Sequence, residues 1–152
     1  MKKSKKIILG ILFWIISLTW GALLTIPGLL ITGVLILCGC KVHKNGFSYI
    51  VEVGGNWGGL EIGAVAICGE YSESAPAWFQ HTRKHEFGHN LQQLVFGPFM
   101  LFIVSIPSAC RYWYKRVKES KGVYFDPDWY ERAWFESEAT RLGTKYINLI
   151  EK

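Results

Sequence analysis

His85, Glu86 and His89 form an HExxH pattern. On a helix, residues four apart lie one turn apart on one face, so both imidazoles reach a single cation, and the adjoining carboxylate is placed to take a proton from a metal-activated water. A chain of this composition contains the pattern by chance at roughly 0.7%, so it is read as a site. The chemistry expected is hydrolysis assisted by Zn2+, which needs a third protein ligand and one open position.

No further histidine follows the pair; His43 and His81 lie upstream. Between 90 and 130 the acidic supply is Glu119, Asp126 and Asp128, after which come Glu131, Glu136 and Glu138. Glu136 and Glu138 point about 200° apart on a helix, so at most one can face the metal. Ala133, Ala139, Thr140 and Gly143 make a small face around Glu136, which lets its helix approach the first near Gly88. That packing selects Glu136 as third ligand. His81 falls a further turn back on roughly the same face and is read as orienting the site or solvated. Candidate oxyanion donors are Tyr112, Tyr114, Tyr124, Tyr130 and His81, and spacing singles out none.

These residues need positioning elements. The helix carrying HExxH is expected from Ala77 until Gly97 and Pro98 stop it. Phe47–Val53 and Leu60–Cys68, rich in β-branched and aromatic residues, flank a turn-forming Gly54–Gly59 cluster and read as a β-hairpin. If Leu60–Cys68 is an edge strand, Leu60, Ile62 and Ala64 would align an extended peptide substrate. Asp126 as N-cap, Pro127 at the first helical position and Asp128 in the first turn predict a long helix to about Ile150.

Ile7–Cys40 is 34 residues without a charge, about 51 Å as one helix against a hydrocarbon core of about 30 Å. Thr25–Gly28, with Pro27 followed by Gly28, predicts a break there and two short helices in a transmembrane hairpin, the second arm being Leu29–Cys40. Lys2, Lys3, Lys5 and Lys6 precede the run, and Lys41 and Lys44 follow it. The positive-inside rule therefore puts both ends on the cytoplasmic side of the cell membrane. The run is too long for a cleaved signal, and Cys40 is a poor lipidation site. A second uncharged run, Asn90–Cys110, holds Gln92, Gln93, Pro98 and Pro107, so the apolar segment 91–110 is expected to be interfacial or bent. Arg111–Arg116, aromatic and basic, suits the headgroup level.

At 152 residues and 50% hydrophobic the chain has room for about one folded domain and is not a disordered tail. The net charge of +5 resides in residues 1–44, which carry six lysines and no acid; 45–152 is close to neutral. A nucleic-acid partner is excluded on that distribution, and the lipid bilayer is the partner expected. The four cysteines show no CxxC pair and read as reduced thiols.

HExxH followed by a helix bearing Glu136, Ser137, Glu138 and Ala139 resembles the gluzincin branch of zinc metallopeptidases, in particular the membrane-bound HtpX-like endopeptidases, whose third ligand is the Glu of ExxA. An Asp usually follows that Ala and orients a ligand; here Thr140 stands in its place. HEFGHNLQ (85–92), GPFMLFIVSIPSACRYWY (97–114) and WFESEATRLG (134–143) also resemble a group of small bacterial membrane proteins, a likeness that names no substrate.

The reading is an α+β, minimal zincin-like domain (45–152) behind a membrane anchor (1–44). It would act as a zinc-dependent peptidase at the cytoplasmic surface on a peptide or protein substrate, with His85, His89 and Glu136 as ligands and Glu86 as catalytic base. The alternatives are a non-catalytic membrane protein whose zinc only staples two helices in a structural or partner-binding role, and a membrane-active or immunity-type protein whose HExxH is incidental.

Overall fold

The computed structural model describes residues 2–55 and 57–151; Asn56, in the glycine-rich turn cluster, lies outside them. The architecture is α+β. Helices α1 (Lys3–Thr19) and α2 (Ala22–Leu37) lead into strands β1 (Lys41–Asn45), β2 (Ser48–Glu52), β3 (Gly59–Ile62) and β4 (Val65–Cys68). Helix α3 (Pro76–Phe96), α4 (Ile106–Glu119) and α5 (Trp134–Glu151) complete the chain.

The first break falls five residues earlier than the sequence predicts. Helix α1 ends at Thr19, Trp20–Gly21 makes the bend, and Pro27 sits inside α2. Packing decides this. A Cβ on Gly21 would strike the Gln93 amide, and Gln93 Nε2 donates to the Gly21 carbonyl (2.8 Å) and to Thr25 Oγ1 (3.0 Å). The two arms are bent 101° from one another, so they form an elbow rather than a folded-back hairpin. No single described helix is long and apolar enough to cross a membrane. Two bent pairs meet the length and apolarity requirement together: α1 with α2, and Pro76–Phe99 with Leu101–Glu119, which bends by 114°.

The expected hairpin of 47–53 with 60–68 does not form. The sheet order is β1-β2-β4-β3, with β2 antiparallel to β1 and parallel to β4. The run 60–68 is itself a hairpin, β3 and β4, in which Ile62 pairs with Val65 across Gly63 and Ala64. Gly63, at φ +73°, supplies the left-handed first turn position. It also lies so close to the Thr25 backbone that a side chain there would collide. Strand β3 is therefore an edge.

Helix α3 starts with Pro76 at its first position and stops at Gly97, where φ is +54°. A 3-10 turn (Gly97–Phe99) and a π-helical turn (Leu101–Ser105) then carry the bend into α4. Met100 and Val104 point inward, while Phe99, Phe102, Ile103 and Ile106 are exposed. Asp126 does cap, but its carboxylate accepts the Asp128 N–H over one 3-10 turn, Pro127–Trp129, and α5 begins only at Trp134.

Phe13 of α1 packs with Ala64, Phe87, Ile147 and Ile150 in one buried cluster. Trp14 Nε1 donates to the Phe47 carbonyl (3.0 Å). Strand β1 straddles the boundary between 1–44 and 45–152, so the two segments share a core.

Candidate metal centre

Helix α3 lays its HExxH face against α5 at a backbone-to-backbone contact. A Cβ on Gly88 would fall on the Ala139 carbonyl, and one on Gly143 on the Lys84 carbonyl. Ala139 is fully buried. This closeness, expected from the small residues around Glu136, carries that carboxylate under the two imidazoles.

The three side chains converge. Glu136 Oε2 lies 3.0 Å from His85 Nε2 and 3.3 Å from His89 Nε2, and the two Nε2 atoms are 3.1 Å apart. Three corners of a tetrahedron around an ion at about 2.0–2.1 Å would be separated by roughly 3.3 Å, so the triangle fits a zinc-sized ion. Glu136 is 0% exposed, and its other oxygen, Oε1, is buried without a hydrogen-bond partner. Among the described residues His85, His89 and Glu136 are the group able to hold a metal ion.

Supporting contacts fix both rings. His85 Nδ1 meets Thr140 Oγ1 at 2.8 Å, so Thr140 occupies the orienting position. His89 Nδ1 meets Gln92 Oε1 at 2.8 Å. The Gln92 amide nitrogen donates to the Phe135 carbonyl (2.8 Å) and Glu138 Oε2 (3.2 Å), which turns its oxygen toward His89. His89 therefore donates from Nδ1 and presents the Nε2 lone pair to a metal. Sequence reasoning missed Gln92; the signal was its position three residues after His89, on the same helical face. Glu138 points away from the triad, to Gln92 and Arg141, as the 200° argument requires.

Electrostatics follow burial and pairing. Burial opposes charge on Glu136, but hydrogen bonds from His85 and His89 outweigh it and hold the carboxyl well below its usual range. Burial also opposes charge on His89, yet Glu136, with Glu86 and Glu61 nearby, raises it to about 9. Glu86 is raised, chiefly by burial against the pull of both histidines. It lies against β3, where Gly59 leaves no room for a side chain beside its carboxylate.

A cleft opens over His85 and Glu86 in two lobes that share Trp57, Gly59, His85, Glu86, Tyr112 and Tyr130. The first, about 320 Å³, is bounded by Leu60 and Glu61 on β3 and by Met100, Val104 and Ser108 opposite. The second, about 520 Å³, reaches His81, Lys115 and Glu131. Tyr130 hydrogen-bonds Ser108 (2.5 Å), and its hydroxyl is held protonated by burial and by Glu136. Tyr112 and Tyr130 line both lobes; Tyr114 stacks on Trp129, and Tyr124 is exposed and lines neither. His81 is held by Glu131 at 3.1 Å, its ring 6.4 Å from that of His85. Leu60 borders the cleft, whereas Ile62 does not and Ala64 is buried in the turn after it. Glu61, Trp57 and Ser108 were not foreseen.

Comparison with protein-family models, with curated proteins and with solved structures gives no match.

Proposed function

We propose that this chain is a zinc-dependent peptidase of zincin-like build, held at the cytoplasmic surface of a membrane by α1 and α2. The observation that carries the reading is the triangle of His85, His89 and Glu136 donors, with Glu86 buried beside it at the floor of a cleft. A bound Zn2+ would supply Lewis acidity, lowering the pKa of a water and polarising a scissile carbonyl.

The protein's own groups do the rest. His85 and His89, steered by Thr140 and Gln92, and Glu136 would hold the ion. Glu86 accepts a proton at its carboxylate and returns it to the leaving amine; burial, by raising its affinity for protons, suits it to that exchange. The free edge of β3 aligns an extended peptide, and Tyr130 and Tyr112 offer hydroxyl donors to the carbonyl oxygen. Membrane attachment is supported by exposed Ile8, Ile11, Ile26, Leu30, Val34 and Leu37, and by lysines at both ends of the α1–α2 pair.

The test compares the full chain with Glu86→Gln, measuring bound zinc and hydrolysis of a peptide library. Stoichiometric zinc in both, with turnover reduced by at least about a hundredfold in the variant, is expected. Equal turnover, or no turnover in either with zinc bound, would leave the ion as a staple between α3 and α5.

A further inference from the structure

Four carboxylates besides the metal-holding Glu136 are buried, Glu52, Glu61, Glu70 and Glu86, and the last three border the cleft. Glu52 accepts the Ser72 N–H (3.0 Å) and pairs with His43 at 2.8 Å. Glu70 accepts the Gly58 N–H (2.9 Å) and the Thr82 hydroxyl (3.1 Å). Glu86 has its role in proton transfer. Glu61 is met less fully: burial pushes its carboxyl up to about 8, against the pull of His89 and of the Gly63 N–H. It is only 7% exposed, and its Oε1 has no hydrogen-bond partner. Among the described residues no Lys, Arg or His stands in ion-pair contact with it. Such a carboxyl ionises only at a cost, and a cation seated beside it offsets that cost.

Its position says where that cation comes from. Glu61 borders the 320 Å³ lobe beside His85, Glu86 and His89, on the edge strand that a peptide would pair with. Its wall also carries Leu60, Met100, Val104 and Ala109, with Trp57 and Trp113 at its sides and hydroxyls of Ser108 and Tyr130 among them. Apolar walls accept an alkyl stem, aromatic faces attract a cation, and a lone buried acid holds its charged end. Glu61 does not belong to the metal-holding group, so a second metal ion has no donor set there.

We infer that Glu61 is a specificity residue that binds a primary ammonium group of the substrate within the apolar lobe. That group is either the peptide's free N-terminus or the end of a lysine side chain. The inference rests on the peptidase reading for the ligand being a peptide, but its test does not need turnover.

The experiment uses the zinc-loaded full chain carrying Glu86→Gln, in detergent micelles, with binding of dye-labelled heptapeptides followed by fluorescence anisotropy. One pair differs by N-terminal acetylation, the other by Lys against norleucine. At least about tenfold tighter binding of the amine-bearing member is expected in one pair, which identifies the source of the amine. Glu61→Gln should bring that ratio to about one, and Glu61→Asp should leave part of it. Ratios near one with Glu61 present, a ratio untouched by Glu61→Gln, or no peptide binding would each overturn the inference. Cleavage by the Glu86 protein without amine preference would overturn it while sparing the peptidase reading. An amine preference in binding with no cleavage by the Glu86 protein would do the reverse.

Discussion

At the scale of single residues, the proton on His89 competes with a metal ion for the same Nε2. The surrounding carboxylates raise His89 to about 9, so below that pH a cation must displace a proton. Lowering the pH strengthens the competitor. Apparent zinc affinity, measured against a chelator of known pH dependence, should fall by about tenfold per unit between pH 8 and pH 6. Thr140→Ala and Gln92→Ala each remove a contact that aims an imidazole. Each should weaken zinc binding by about 10- to 100-fold while leaving the fold intact by circular dichroism. Glu86→Gln should leave zinc binding in place, which separates proton transfer from ligation.

Elements explain why those residues meet. The meeting of α3 and α5 depends on the absence of side chains at Gly88 and Gly143, each of which faces backbone of the other helix. Backbone cannot swing aside as a side chain can. Gly143→Ala should therefore destabilise the protein by about 1–3 kcal/mol and lower zinc affinity, because it pushes Glu136 away from the histidines. Thermal unfolding with and without zinc would measure both effects. This part of the site was legible in the sequence, since HExxH and a small-faced helix bearing Glu136 are local patterns. The sheet was less so. Pairing of β2 with β4 rather than with β3 is a long-range choice made by what the strands pack against, and it leaves no local trace. The two-residue turn at Gly63–Ala64 did leave one, a glycine inside an apolar run, but such a run also reads as one continuous strand. The bend at Gly21 was hidden for a similar reason: Gln93, 72 positions away, completes it.

For the molecule as a whole, the N-terminal helices belong to the core. Phe13 is 2% exposed and packs on Phe87, the residue after Glu86, as well as on Ile147 and Ile150 of α5. Phe13→Ala should cost about 3–5 kcal/mol of stability and reduce zinc occupancy, although it lies far from the ligands in sequence. Urea unfolding in micelles, with metal content assayed alongside, would check this. An unchanged midpoint would mean that α1 adds nothing to the stability of that core.

The two elbows of the chain touch. Trp20, at the corner between α1 and α2, donates from its indole nitrogen to the Val95 carbonyl (3.3 Å). Its ring also fills the place that a side chain at Gly97 would take. Gly97 begins the segment that carries Met100 and Val104 into the wall of the cleft. The two corners are thereby coupled: a rotation at the first is passed through one indole to the second, and so to the wall that Met100 and Val104 give the cleft.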